Sequence, residues 1–281
     1  MVYEIRQMTE EDTRLAWEWA GKEGWNPGLN DWKLMPAIDP CGCFAGILDG
    51  NMISSISAVQ YQGKYGFIGL YIVAREYRGR GYGHAIWQHA LNYLNHEVGV
   101  ECIGLDSVLV NEALYQKSGF STSYRMYRYG CIVGGVFKRQ YPEIEEEHFS
   151  DIAGYDLKVF KVGRVAFLHD FIFQSGAKTA VAYRSGKLGG FAVARPCFNG
   201  YKIGPLFADD IEVARTLLAS IFNSLPGQTV FIEVPESNPS AMRLVADFDM
   251  VSELATFRMY TGDRYQLDPR YFYGVTSRVV G

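Results

Sequence analysis

The sequence predicts an α/β (α+β) fold in which one architecture occurs twice in tandem. Three observations carry this. Residues 65–94, YGFIGLYIVAREYRGRGYGHAIWQHALNYL, read as an apolar strand, a glycine-rich basic turn and a helix. The order of strand and helix signals in the first half of the chain returns in the second. Finally, 281 residues exceed one typical domain of about 150, and 48% hydrophobic with 15% aromatic residues supply ample core material.

Taken in order, residues 2–8 read as a strand. Thr9 before Glu10, Glu11 and Asp12 reads as a capped helix start, with acids complementing the dipole. That helix carries Leu15, Ala16 and Trp19 on one side, and Gly21-Lys22-Glu23-Gly24-Trp25-Asn26-Pro27-Gly28 stops it. The stretch to Asp31 and Trp32 is loop-rich and mixes aromatic with polar groups. Residues 44–48 and 52–61 form a hairpin about Asp49-Gly50, a favoured two-residue connection. A turn at Gly63-Lys64 leads into the central strand, so three antiparallel strands precede the glycine turn.

In the central strand Phe67, Ile68, Leu70, Tyr71, Ile72 and Val73 make both alternating faces apolar, which suits a strand covered on both sides. In Arg78-Gly79-Arg80-Gly81-Tyr82-Gly83, alternate glycines remove the side chains that would hold a ligand off the backbone. Ile86, Ala90, Tyr93 and Leu94 then follow at helical spacing. Unpaired N–H groups of the first turn, the helix dipole and two arginines make this junction an anion cradle suited to phosphate. Residues 101–106 read as a further strand, and residues 111–120 as a short helix ended by Gly119.

Gly134-Gly135 and the acidic run Pro142-Glu143-Ile144-Glu145-Glu146-Glu147 mark a change of composition. Domains of residues 1–135 and 140–281 are expected on either side. In the second, helical stretches at 148–153 and 162–173 precede a hairpin of 179–184 and 188–194. Then come a strand (201–208), a helix (211–224), a strand (229–234), a short helix (238–248) and a strand (252–260).

Composition excludes several classes. A net charge of −4 gives no broad basic field for nucleic acid. The opening MVYEIRQMTEED has no signal pattern, and no apolar run reaches the ~18 residues of a membrane span; a cytoplasmic protein is expected, with no membrane partner. Cys41, Cys43, Cys102, Cys131 and Cys197 form no C-x-x-C pair, and His84, His89 and His96 lack a metal-ligand partner at i, i+4. Neither a disulfide framework nor a metal site is expected.

The spacing narrows the phosphate ligand. From Gly79 and Gly81 a dinucleotide fingerprint would place its third glycine at His84, and no Gly-Lys-Ser/Thr of a P-loop follows. Arg78-x-x-Gly81-x-Gly83 after a buried strand resembles the pyrophosphate loop of the GNAT superfamily of N-acetyltransferases. The resemblance implies two domains, each a mixed, mostly antiparallel sheet flanked by helices, and acetyl-CoA as cosubstrate. It implies a cosubstrate site of Tyr71, Ile72, Val73, Arg78, Gly79, Arg80, Gly81, Tyr82, Gly83 and His84. In this family an amine attacks the thioester, and a backbone N–H at the splayed end of the central strand, here near Ile72 or Val73, receives the oxyanion. Leu114-Tyr115-Gln116-Lys117-Ser118-Gly119-Phe120 resembles the second signature, which puts Tyr115 at the leaving sulfur as general acid. Where the family often has Asn and Ala, this chain has Val108 and Asn111. Trp25, Asn26 and Asp31 fall where the family builds its acceptor wall, and Asp106 and Asp31 are the candidates for the general base.

The second half departs from the family pattern. Asn238, Ala241 and Leu244 repeat the second signature, but Val245 stands at the tyrosine position. Phe207-Ala208-Asp209-Asp210 occupies the place of the pyrophosphate loop with two carboxylates and no glycine, which repels an anion. Residues 195–210, together with Tyr273-Gly274-Val275-Thr276-Ser277 and residues 23–28, resemble tandem acetyltransferases whose C-terminal domain is GNAT-like. The implied function is acyl transfer to a primary amine of a small molecule bound between the halves. A non-catalytic CoA-binding sensor or partner-binding module, acetylation of a peptide or protein amine, and homodimer formation stay open at this point.

Overall fold

The structure, a computed structural model, describes residues 2–138, 140–262 and 267–281. The first half runs β1 (Tyr3–Gln7), α1 (Glu10–Lys22), α2 (Met35–Ile38), β2 (Cys43–Leu48), β3 (Asn51–Tyr61), β4 (Tyr65–Val73), α3 (Tyr82–Asn92), β5 (Cys102–Val108), α4 (Glu112–Gln116) and β6 (Ser121–Ile132). The second runs α5 (Phe149–Phe160), α6 (Val165–Ile172), β7 (Lys178–Arg184), β8 (Lys187–Pro196), β9 (Tyr201–Ala208), α7 (Ile211–Asn223), β10 (Thr229–Pro235), α8 (Pro239–Asp247), β11 (Val251–Tyr260) and β12 (Phe272–Gly274).

Local chemistry explains the first helix. Thr9 accepts from Asp12 N and the Asp12 carboxylate accepts from Thr9 N, a reciprocal capping box. Its buried face is Thr13, Ala16, Trp17 and Ala20, so of the predicted Leu15, Ala16 and Trp19 only Ala16 is fully buried. Trp17 is the anchor, because its indole Nε1 donates to Gly28 O at 2.7 Å and so fixes the loop beyond the helix.

All the strands join one sheet, in the order β1-β2-β3-β4-β5-β11-β6-β10-β9-β8-β7, with β12 paired to β9. The centre of that order departs from two repeats standing side by side. β5 pairs not with β6 but with β11, from Gly104↔Tyr260 to Val108↔Thr256. β6 in turn pairs with β10, from Met126↔Pro235 to Ile132↔Thr229. The first half has given β6 to the second and the second has given β11 to the first, and the two exchanged strands pair with each other in the middle. The expected boundary near residue 135 therefore follows a strand whose outer partner is β10 of the second half.

Packing follows the same plan. On one face, Ala16 and Trp17 of α1, Phe160 of α5, Phe167 and Phe171 of α6, Phe67 of β4 and Phe207 of β9 belong to one core shared by both halves. On the other, Ile86, Trp87 and Ala90 of α3 cover the first half. Leu217, Leu218 and Ile221 of α7, with Leu244 of α8, cover the second. No described helix is long and apolar enough to cross a membrane.

Candidate active site

The site begins where β4 and β5 part. Their parallel pairing runs from Tyr65↔Cys102 to Ile68↔Leu105 and stops there. Opposite, β3 pairs Ser57 with Gly69 and Ser55 with Ile72, so Leu70 and Tyr71 together face the single Ile56. This is a bulge, and Leu70 holds the left-handed φ of 47° that it needs. Ser55 Oγ donates to Leu70 O at 2.7 Å and pins it. Bulge and parting together re-aim the end of β4 and leave the side that faced β5 without a strand partner.

A cavity of about 450 Å³ opens at the parting. Tyr71, Ile72 and Val73 line it from β4, Asp106 and Val108 from β5, and Tyr115 from α4. Glu23 and Trp25 come from the chain after α1, while Leu254 and Thr256 of β11 and Arg278 come from the second half. Tyr115 is buried beside Trp87, with ring centroids 5.2 Å apart, and Trp87 lies 5.5 Å from Tyr71. Burial, and then the neighbouring Tyr71, push the Tyr115 phenol well above its ordinary pKa. It is held protonated, the form that donates.

The glycine turn is built as a cradle. Gly79 and Gly81 hold φ of 75° and 88°, and nothing lies within 4 Å of a Cβ added at either. Gly83 packs the turn onto β4, where a Cβ would meet the Tyr71 hydroxyl at 2.9 Å. Gly81 is the N-cap of α3 and offers no side-chain acceptor to the first-turn N–H groups. Arg80 and His84 are exposed beside it, and the Tyr82 ring lies 4.8 Å from Tyr3. Arg78 is already engaged: Nε donates to Val73 O at 2.7 Å and Nη2 to Glu23 Oε1 at 2.7 Å.

The corresponding place in the second half is closed. Asp210 caps α7 with its own carboxylate, accepting from Glu212 N and Val213 N at 2.9 Å each. The N–H groups that an anion would need are already satisfied. β9 and β10 also part early, after Ile203↔Ile232, but β12 enters the gap and pairs Phe272 with Phe207 and Gly274 with Leu206. Asn238 Nδ2 donates to Phe272 O at 3.1 Å and holds it there.

Not every sequence-predicted residue reaches the cavity. Trp25 does, but Asn26 instead joins the halves, donating to Asn199 O at 3.2 Å and accepting from Asn199 N at 2.8 Å. Asp31 is no acceptor contact: it is buried, and Arg195 Nε donates to both its oxygens at 2.9 and 2.8 Å. Asp106 lines the cavity, yet Arg258 donates to both its oxygens at 2.6 and 2.9 Å, which leaves it a poor general base. Sequence reasoning missed Glu23, Thr256 and Arg278. Glu23 stood within a stretch already singled out, whereas Thr256 enters on the exchanged strand β11 and Arg278 on the C-terminal turn beyond β12.

Behind Trp25 lies a buried charge cluster. Glu233 is approached by Arg128 at 2.9 Å, Lys202 at 3.4 Å and Arg278 at 2.8 Å. Arg128 Nη2 and Lys202 Nζ also donate to Trp25 O, at 2.6 and 3.2 Å. Burial, reinforced by the neighbouring arginines, pushes Lys202 down to about 8 even though Glu233 opposes the shift, while the three cations hold Glu233 well below its ordinary range. Among the described residues no group of three His, Cys, Asp or Glu side chains is arranged to hold a metal ion.

Residues 2–120 match the family model described as acetyltransferase (GNAT) family, and residues 152–274 the one described as acetyltransferase (GNAT) domain. The chain is 27% identical over 278 residues to holothin acyltransferase of Pseudoalteromonas sp. (strain SANK 73390), covering 96% of this chain and 92% of that protein. It is 24% identical over 246 residues to the uncharacterized N-acetyltransferase YitH of Bacillus subtilis (strain 168), covering 85% of each. A putative acetyltransferase from Pyrococcus horikoshii has a similar fold, with a TM-score of 0.83 at 24% identity over 99% of this chain and 96% of that one.

Proposed function

The chain belongs to the GNAT acetyltransferases, with two such domains in tandem, and from this premise we propose that it transfers the acetyl group of acetyl-CoA to a primary amine of a small molecule. Residues 1–135 form the catalytic unit in this reading. Residues 140–281 form a unit without a pyrophosphate loop that completes the acceptor wall.

The residues present fit acetyl-CoA. An uncapped helix N-terminus behind Gly79 and Gly81 suits a pyrophosphate, and the unpaired side of β4 beyond Ile68 suits an extended chain that carries amides. When bound, acetyl-CoA supplies an acyl group activated as a thioester. Backbone N–H groups near Ile72 and Val73, aimed by the bulge, stabilise the negative charge that develops on the acyl oxygen. Tyr115 meets the leaving sulfur as general acid. With its pKa raised so far above that of a thiol, near 8.5, the hydrogen bond does more of this work than complete transfer. Glu23 accepts the amine proton, directly or through water, because its carboxylate is the more open of the two in the cavity, 28% exposed against 2% for Asp106.

The observation that carries the reading is the parting of β4 and β5 at a bulge, with the cradle at one end and Tyr115 within the same cavity. The test is calorimetry with acetyl-CoA followed by thiol release across a panel of amines. One equivalent bound per chain and amine-dependent release are expected; absence of binding would overturn it, and binding without release for any amine would leave a CoA-binding module instead.

A further inference from the structure

Three buried polar atoms of two residues that line the cavity have no hydrogen-bond partner in the structure: Thr256 Oγ1 and Arg278 Nε and Nη2. Both residues come from the second half. Leaving such groups unmatched is costly, so a site that keeps them marks the position of a ligand's polar group.

The local charge balance says which kind of group. Glu233 is the carboxylate that faces Arg128, Lys202 and Arg278. Arg278 Nε lies 2.8 Å from Glu233 Oε1 but is not aligned for a hydrogen bond, so its guanidinium is only partly engaged. The other nearby carboxylates are spent, Asp31 on Arg195 and Asp106 on Arg258. Three cations against one carboxylate is an arrangement short of negative charge. Arg278 is the member of the trio that faces the cavity. A guanidinium beside a hydroxyl is a donor set matched to a carboxylate.

We propose that the acceptor amine carries a carboxylate, and that Arg278 and Thr256 receive it, so that the substrate class is amino acids and related amino carboxylates. The inference rests on the acetyl-transfer reading above and adds the chemical class of its acceptor. The anionic end then lies against the second half while the amine points toward Glu23 and the parting of β4 and β5.

The test uses product mimics, so it does not depend on knowing the natural acceptor. Full-length protein saturated with CoA is titrated by calorimetry with N-acetylglycine, N-acetylalanine and N-acetylphenylalanine, and with the matching N-acetyl amides. At least one acid should bind about tenfold or more tightly than its amide, as a charge-assisted contact implies. Arg278→Met should erase that preference, Arg278→Lys should restore part of it, and Thr256→Val should reduce it. Affinity for CoA alone, measured in each variant, reports that the fold is intact. The proposal is overturned if no acid binds better than its amide, or if the preference survives Arg278→Met. Failure of the acetyl-transfer reading would be seen separately, as absence of acetyl-CoA binding in the unaltered protein.

Discussion

At the scale of single residues, a phenol and a buried amine each give a prediction. On the proposed mechanism, Tyr115→Phe removes the donor to the leaving sulfur and little else, since the ring stays against Trp87. Turnover should fall about 10²-fold with acetyl-CoA affinity unchanged, as single-turnover kinetics and calorimetry would check. Lys202 gives a prediction in pH. Its pKa falls from 10.5 to about 8 in the folded protein, so between those values the unfolded chain binds more protons and stability rises with pH. Below about 8 both states are charged and the penalty is constant. Relative to Lys202→Met, the unaltered protein should gain on the order of 2–4 kcal/mol between pH 7.5 and 10.5, read by denaturant unfolding of the two side by side; equal curves would refute it. The place of Tyr115 at the cavity was legible in the sequence because Gln-Lys-Ser-Gly-Phe follows it. The ion pairs of Asp31 and Asp106 were not legible because a lone carboxylate carries no mark of its partner, and Arg195 and Arg258 lie more than 150 positions away.

At the scale of elements, two helix starts decide where a phosphate can bind. Gly81→Asp puts a capping carboxylate, and a side chain at a φ of 88°, where α3 now offers free N–H groups. Acetyl-CoA binding by calorimetry should vanish while the variant stays folded. Asp210→Ala is the converse. It should cost about 1 kcal/mol in urea unfolding through the lost cap without adding a second equivalent of acetyl-CoA, because β12 still fills the parting of β9 and β10. The contrast between the two loops was readable, since glycines and carboxylates state their electrostatics locally. The plug was not: β12 is three residues long, and nothing in Phe-Tyr-Gly says which edge it joins. Local periodicity also chose Trp19 over Trp17 in α1, because the indole hydrogen bond of Trp17 to Gly28 is not written in the helix pattern.

At the scale of the whole molecule, the exchange of β6 and β11 makes the halves one cooperative object. All five tryptophans lie at or before position 87, so tryptophan fluorescence reports the first half while far-ultraviolet circular dichroism reports both. The two probes should give coincident denaturant curves, and a first-half transition resolved from the rest would refute the interlock. Strand order within each repeat was legible from alternation and turns, but exchange is invisible to any local pattern, since β6 would look the same beside β5 as beside β10. The exchange also bears on why a repeat whose loop carries a capping carboxylate in place of glycines remains at full length. Were the repeats merely adjacent, deletion of the second would be survivable, and nothing would protect it from erosion. Because β5 has no outer neighbour except β11, and β6 none except β10, deleting the second repeat strands the first with raw sheet edges. Substitutions that erase ligand chemistry from the second repeat are therefore tolerable, whereas substitutions that unfold it are lethal to the first. Inheritance can wear away its binding loop and is obliged to keep its sheet.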